Sequence, residues 1–273
     1  MKLSIAIPDS SLKDEKKHEN KTRKIFQIAR AAGIFQINNI IIYKDGREFE
    51  NDSKLLSTIL RYLETPQHFR KRLYPKSGLL QFVGALSPIK MPNQGGTSDA
   101  KQVKKDDIRE GVIFPKEGRK FIDLGIDYSV PYHGKKDIGK RTIVKIKDTF
   151  PNFTVYDIEK NQIPKFWSYN VKHGANLFSL LSEWKGPKIL TSRKSKNIKE
   201  EDMQKILSSK EEILVVFGTT DKGIHEMLDK KISNIQNFKA WNFFPNQGTE
   251  TVRIEEAVLG CLSILNSVIF SNK

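Results

Sequence analysis

Short apolar runs at residues 3–7 (Leu3-Ser4-Ile5-Ala6-Ile7) and 40–43 (Ile40-Ile41-Ile42-Tyr43) flank a stretch, residues 22–33, whose apolar positions recur at helical spacing. This pattern predicts a β-α-β unit. Its second strand is apolar at consecutive positions, as a parallel strand buried on both faces requires. A second helix is predicted over residues 54–63, where Leu55, Leu56, Ile59, Leu60 and Leu63 share a face and Pro66 marks the end. After Pro88 the texture changes. Residues 91–105 are polar and contain Gly95 and Gly96, which reads as a surface loop. Five strand-like runs follow at residues 111–114, 120–125, 129–132, 142–147 and 153–158, and their length and spacing predict a small OB-like β-barrel. The α/β rhythm returns near residue 167, with strands at 188–190, 213–217 and 240–244. A last helix is expected from about Thr251, a good N-cap residue type, with Glu255 and Glu256 in its first turns and an apolar face running from Ile254 through Val258, Cys261, Leu262 and Leu265 to Ile269. The expected organisation is an α/β domain in two parts, residues 1–87 and 167–273, interrupted by a barrel at 88–166.

Charge changes the picture most. Lys and Arg number 47 against 32 Asp and Glu, a net charge of +15, so the expected partner is a polyanion. Within the barrel run, Phe114, Phe121, Tyr128, Tyr132, Phe153 and Tyr156 alternate with basic residues, the composition of a nucleic-acid grip, although many of these rings must be core. The single cysteine, Cys261, excludes an intrachain disulfide and a Cys-based zinc site, and its place in an apolar helical face predicts burial. The N-terminal apolar run is too short for a signal peptide and no stretch approaches a membrane span, so a cytoplasmic protein is expected, or a nuclear or nucleolar one if the source is eukaryotic.

Two loops that each follow a strand and precede a helix carry the candidate chemistry. Phe217-Gly218-Thr219-Thr220-Asp221-Lys222-Gly223-Ile224 has the glycine spacing of a phosphate loop. Ile224 and His225, however, stand where Lys and Ser or Thr would be needed, which disfavours a nucleoside triphosphatase. The loop from Asn242 to Arg253 gathers amides, hydroxyls and glycine at a helix start, groups able to hydrogen-bond an adenine edge, a ribose or a carboxylate.

The run Thr22-Arg23-Lys24-Ile25-Phe26-Gln27-Ile28-Ala29-Arg30-Ala31-Ala32-Gly33-Ile34-Phe35, the loop at residues 217–224 and the stretch at 245–266 resemble, in order and spacing, the three motifs of SPOUT methyltransferases. More closely, Ala6-Ile7-Pro8, Arg61-Tyr62-Leu63-Glu64-Thr65-Pro66-Gln67 and Asn246-Gln247-Gly248-Thr249-Glu250-Thr251-Val252-Arg253-Ile254-Glu255-Glu256-Ala257 look like the archaeal and eukaryotic branch of uridine-N3 RNA methyltransferases, in which an OB-like domain interrupts the methyltransferase domain. The resemblance spans nearly the whole chain, is weakest in the barrel, and is most specific in its last signature. It implies a trefoil knot near the C-terminus, against the general bias of folded chains. It also implies S-adenosylmethionine held bent in the knot loops, largely by backbone groups, and an active site at a homodimer interface. Carried over by position, the cofactor-binding residues are Thr191, Ser192, Phe217, Gly218, Gly223, Phe244, Asn246, Gln247, Gly248, Thr251 and Val252. Arg30 matches the motif-one arginine, which handles RNA in relatives, and is the candidate catalytic residue. Arg23 and Lys24 in the first motif, with Arg119, Lys120, Arg141 and Lys145 in the barrel, are the candidate RNA contacts. Two departures stand out. Pro92-Asn93-Gln94 occupy a place where the family usually carries histidines, and Thr219-Thr220 replace smaller residues of the second motif.

The expected reaction is methyl transfer from the sulfonium to a uridine, at N3, of ribosomal RNA. It is an in-line displacement that depends on positioning and needs no metal. The alternative is a ribosome-assembly or RNA-binding factor that keeps the fold without turnover.

Overall fold

The structure, a computed structural model, describes residues 2–45, 49–219 and 221–270; Thr220 and the side chains of Ile269 and Phe270 lie outside the described residues. In chain order the first elements are β1 (Leu3–Pro8), α1 (His18–Ile34), β2 (Asn39–Lys44), α2 (Glu50–Glu64) and α3 (Gln67–Leu73). Five strands follow: β3 (Ile108–Lys116), β4 (Arg119–Asp123), β5 (Val130–Pro131), β6 (Arg141–Asp148) and β7 (Thr154–Ile158). The chain closes with β8 (Asn170–Asn176), α4 (Leu177–Glu183), β9 (Lys188–Asn197), α5 (Glu200–Leu207), β10 (Ile213–Val216), α6 (Ile224–Leu228), β11 (Phe238–Asn242) and α7 (Ile254–Phe270). These elements form two compact units. One comprises Met1–Glu64, Ser77–Ile89 and Ser168–Lys273; the other comprises Thr65–Lys76 and Lys90–Trp167, so that α3 clusters with the five-strand segment.

The first unit is built on a six-stranded sheet in the order β11-β9-β10-β1-β2-β8, parallel in every pairing. The apolar runs read from the sequence are its central strands, and they are apolar on consecutive positions because both faces are covered. Ala6, Ile41, Leu190, Leu214 and Val216 pack on one face with Leu177, Leu180 and Leu181 of α4 and Ile224 and Leu228 of α6. The alternate positions Ile5, Ile7, Ile40 and Ile42 are fully or almost fully buried and point to the opposite face. Helix α1 packs against both α2 and α7 and buries Ile25, Ile28, Ala29 and Ala32. It begins at His18, four residues before the apolar period that predicts it.

Helix α7 begins at Ile254, not near Thr251, and its apolar face from Ile254 to Leu265 is buried. The Arg253 N–H at its start donates to the Glu256 carboxylate at 2.9 Å, a capping role carried by a first-turn acid rather than by Thr251. Among the described residues no helix is long and apolar enough to cross a membrane.

The second unit carries a five-stranded antiparallel sheet, β5-β4-β3-β6-β7, over a core of Ile113, Ile122, Val130, Val144, Ile146 and Phe153. Ala100 and Val103, from the polar stretch before β3, close this core. The Tyr132 hydroxyl donates to Asp157 at 2.7 Å; burial first and this bond second push its phenol up to about 12.

Candidate functional site

At the C-terminal ends of three neighbouring parallel strands, where α/β sheets generally bind ligands, the described residues enclose a cavity of about 250 Å³. Local register creates it. Ala240 of β11 pairs with Leu190 of β9, but the next residue, Trp241, pairs with Lys196, so residues 191–195 bulge from that ladder. Thr191, Ser192, Arg193 and Lys194 of this bulge form one wall. The loop after β10 supplies Phe217, Gly218, Thr219, Asp221 and Gly223, and the loop after β11 supplies Phe243, Phe244, Gln247, Glu250, Thr251 and Val252. The apolar floor is Ile254, Ala257 and Cys261 of α7.

Hydrogen bonds fix the three walls to one another. The Thr191 hydroxyl donates to the Val216 carbonyl at 2.9 Å, and Arg193 donates to the Glu250 carbonyl at 2.5 Å. The fully buried Tyr43 hydroxyl donates at 2.6 Å to the Phe217 carbonyl, at the point where β10 gives way to its loop. Gln247 holds its own loop closed by donating to the carbonyls of Thr249 and Glu250. Two glycines allow close approaches. A Cβ on Gly218 would lie 3.1 Å from the Lys222 carbonyl oxygen, and one on Gly260 would lie 2.6 Å from the Phe244 ring, which therefore rests on the bare backbone of α7.

Of the eleven cofactor residues carried over by position, nine line this cavity: Thr191, Ser192, Phe217, Gly218, Gly223, Phe244, Gln247, Thr251 and Val252. Asn246 and Gly248 are exposed and do not line it; Asn246 takes a left-handed backbone (φ 59°), and a Cβ on Gly248 would meet no protein atom within 4 Å. The cavity also holds charged and titratable groups not singled out in the sequence. Lys194 pairs with Glu226, Lys13 pairs with Asp221, and the Ser195 hydroxyl lies 2.8 Å from His225 Nε2. In sequence His225 stood out only as the residue that breaks a phosphate loop; it stands on α6 and meets the β9 bulge through Ser195, and no local pattern announces that bulge. Cys261 is buried as expected, and burial pushes its thiol pKa well up, so it is an inert part of the floor.

Arg30 sits on α1, partly buried and away from the cavity lining. Among the described residues its guanidinium makes one hydrogen bond, to the Ile89 carbonyl at 3.5 Å, and no ion pair. Its neighbours Ala29, Ala31 and Ala32 are fully buried, so they serve α1's own packing and do not form a surface for another chain.

The candidate RNA contacts fare unequally. Arg23 is exposed and pairs with Glu19 one helical turn away. Lys24 is only 2% exposed, with Nζ 2.5 and 2.6 Å from the two Asp14 oxygens and 3.2 Å from Glu255 Oε2, which leaves it no surface to offer RNA. In the second unit Arg119 is exposed, Lys120 donates to the Lys136 carbonyl, Arg141 grips Glu110, and Lys145 pairs with Asp106.

The Mus musculus protein named 28S rRNA (uridine-N(3))-methyltransferase is 28% identical over 96% of this chain and 75% of its own length. The Homo sapiens protein of the same name is 27% identical over 96% and 77%. An uncharacterized protein of Haloarcula marismortui is 25% identical over 97% of this chain and 99% of its own. The family model described as "Putative RNA methyltransferase" matches residues 2–265, both units and all three walls of the cavity, and the chain belongs to this family of RNA methyltransferases.

Proposed function

We propose that this protein transfers a methyl group from S-adenosylmethionine to N3 of a uridine in ribosomal RNA. One observation carries the reading: relatives named for that reaction align along 96% of the chain, and the family model's match over residues 2–265 takes in the strands and loops that build the cavity. The lining suits the methyl donor. Phe217, Phe244, Val252 and Ile254 offer apolar surface for a flat base, while Thr191, Ser192, Thr251 and Gln247 offer hydroxyl and amide partners for a ribose and an amino-acid end. When bound, that cofactor supplies an electrophilic methyl on a sulfonium.

The chain's own residues hold and orient. Tyr43 and Thr191 fix the backbone at the mouths of β10 and β9, Gly260 lets Phe244 close one side, and Gln247 sets the loop between them. Loss of the N3 proton leaves negative charge on the uracil, and Arg30 is the cation assigned to that charge or to the adjoining phosphate. The reading includes a trefoil knot within residues 188–270, an OB-like barrel in the second unit and a homodimer. In support of the dimer, Ile34 on α1 and Leu259 on α7 are large apolar residues left 52% and 48% exposed on helices that pack together.

The test is labelled methyl transfer to ribosomal RNA followed by mass spectrometry of its nucleosides. N3-methyluridine is the expected product, and a different methylated nucleoside, or no transfer by a protein that binds the RNA, would refute the assignment. The cavity itself is tested by Gly260→Ala. Its Cβ displaces the Phe244 ring, so donor affinity measured by calorimetry should fall about tenfold, the cost of roughly one lost packing or hydrogen-bond contact, with little change in melting temperature. Unaltered affinity in that variant would move the donor to another site.

A further inference from the structure

Among the described residues only two aromatic side chains are exposed, Phe150 at 42% and Tyr156 at 46%, and both belong to the second unit. Covering such a ring face removes apolar surface from water, which favours a ligand with flat faces of its own. Neither is loosely placed. Phe150, in the loop between β6 and β7, meets Tyr128 edge-on at 5.8 Å. Tyr128 in turn rests on the buried ring of Phe153 at 5.4 Å and donates to the Pro151 carbonyl at 3.1 Å. Lys101 Nζ lies 6.0 Å from the Phe150 ring centre. Tyr156 stands on the sheet opposite Lys145, its cross-strand partner in β6, and Lys145 is held in place by Asp106 at 2.8 Å. The Phe150 ring is thus braced by Tyr128 with the Lys101 ammonium over it, and Tyr156 is an exposed ring with Lys145 across the strand pair.

The charge of the unit names the kind of ligand. Its two segments, residues 65–76 and 90–167, hold 20 Lys and Arg against 11 Asp and Glu, giving +9 of the chain's +15. A ligand with flat apolar faces and regularly spaced negative charges satisfies both features, and a duplex does not, because its bases are stacked on one another and hidden. We infer that Phe150 and Tyr156 are stacking platforms for unpaired bases of single-stranded RNA, with Lys101 and Lys145 on the phosphates beside them. This rests on the reading of the protein as an RNA methyltransferase and adds to it the strandedness of the RNA and the residues that hold it.

The experiment is fluorescence anisotropy with a labelled single strand of about 12 nucleotides, within the span one such domain covers, and with the same strand annealed to its complement. Phe150→Leu and Tyr156→Leu keep apolar volume and remove the ring face. Each should weaken single-strand binding about fivefold and the pair about 30-fold, since base stacking is worth roughly 1 kcal/mol or more per base. The slope of affinity against salt should stay unchanged because no phosphate contact is lost. Donor affinity at the separate cavity should stay unchanged too. A folded double variant that binds the single strand within twofold of the native protein overturns the inference, as does native protein that binds duplex and single strand equally. Native protein that binds neither RNA would overturn the RNA methyltransferase reading as well, and so is distinguishable from failure of the platforms alone.

Discussion

Lys24→Ala is expected to lower the melting temperature of the first unit by about 10 °C while leaving affinity for single-stranded RNA near native. The ammonium of Lys24 is buried against Asp14, which meets it with both oxygens, and against Glu255, itself only 7% exposed. Charges of this kind are costly to bury and acceptable only because each satisfies the other. Removing one partner strands the rest, at a cost of about 3–5 kcal/mol, and for a unit of this size each kcal/mol moves the midpoint by roughly 2–4 °C.

The ion pairs also join elements that matter for the cavity. Asp14 lies between β1 and α1, and Glu255 lies in the first turn of α7, directly after the loop that walls the cavity; Arg253 and Glu15 make a second, more exposed link between the same segments at 2.9 Å. Donor affinity should therefore drop in the same variant. Thermal denaturation and calorimetry read the two effects. The double variant Lys24→Met, Glu255→Gln, which removes opposite charges together, should recover part of the lost stability. Native melting together with weakened RNA binding in Lys24→Ala would restore Lys24 to the RNA-contacting set and refute the structural role.

Lys24 shows where sequence reading stops. On a helix of a strongly basic chain, lysine is by default a solvated cation, and nothing local reveals that two acids from distant segments converge on it. The central strands were legible for the opposite reason: Ile40-Ile41-Ile42 and Ile213-Leu214-Val215-Val216 can be apolar on consecutive positions only if both sheet faces are covered, and they are. Strand β8 was not legible, because Asn170-Val171-Lys172-His173-Gly174-Ala175-Asn176 is a largely exposed edge strand, paired in the sheet with β2 and carrying no period. The glycine-bearing loops of the candidate site were visible as departures from strand and helix patterning, whereas Arg193 and Lys194 reach the cavity through the register step between β9 and β11.

Arg30→Ala is expected to slow single-turnover methyl transfer by about 10²–10³-fold, the usual loss when one charge-stabilising donor is removed from a transition state. Three observations set this residue apart from an ordinary surface arginine: it is partly buried, it has no ion pair among the described residues, and its one hydrogen bond is at the 3.5 Å limit. A guanidinium has five N–H donors, and among the described residues one of them has a hydrogen-bond partner. RNA can engage these donors as phosphate or as the charge that develops on a uracil losing its N3 proton. Arg30→Lys keeps the charge and loses the planar fork, so it should fall between the native enzyme and Arg30→Ala, about tenfold slow. Because Arg30 gives the protomer so little, melting temperature should shift by less than about 2 °C in either variant. Donor affinity should be unchanged, since Arg30 does not line the cavity. The decisive comparison is the single-turnover rate at saturating donor beside the melting curve. A rate in Arg30→Ala within about threefold of native would remove the residue from the reaction, and a large fall in melting temperature would make its role structural; a slow, stable variant that still binds donor normally is the outcome that places Arg30 on the RNA side of the site.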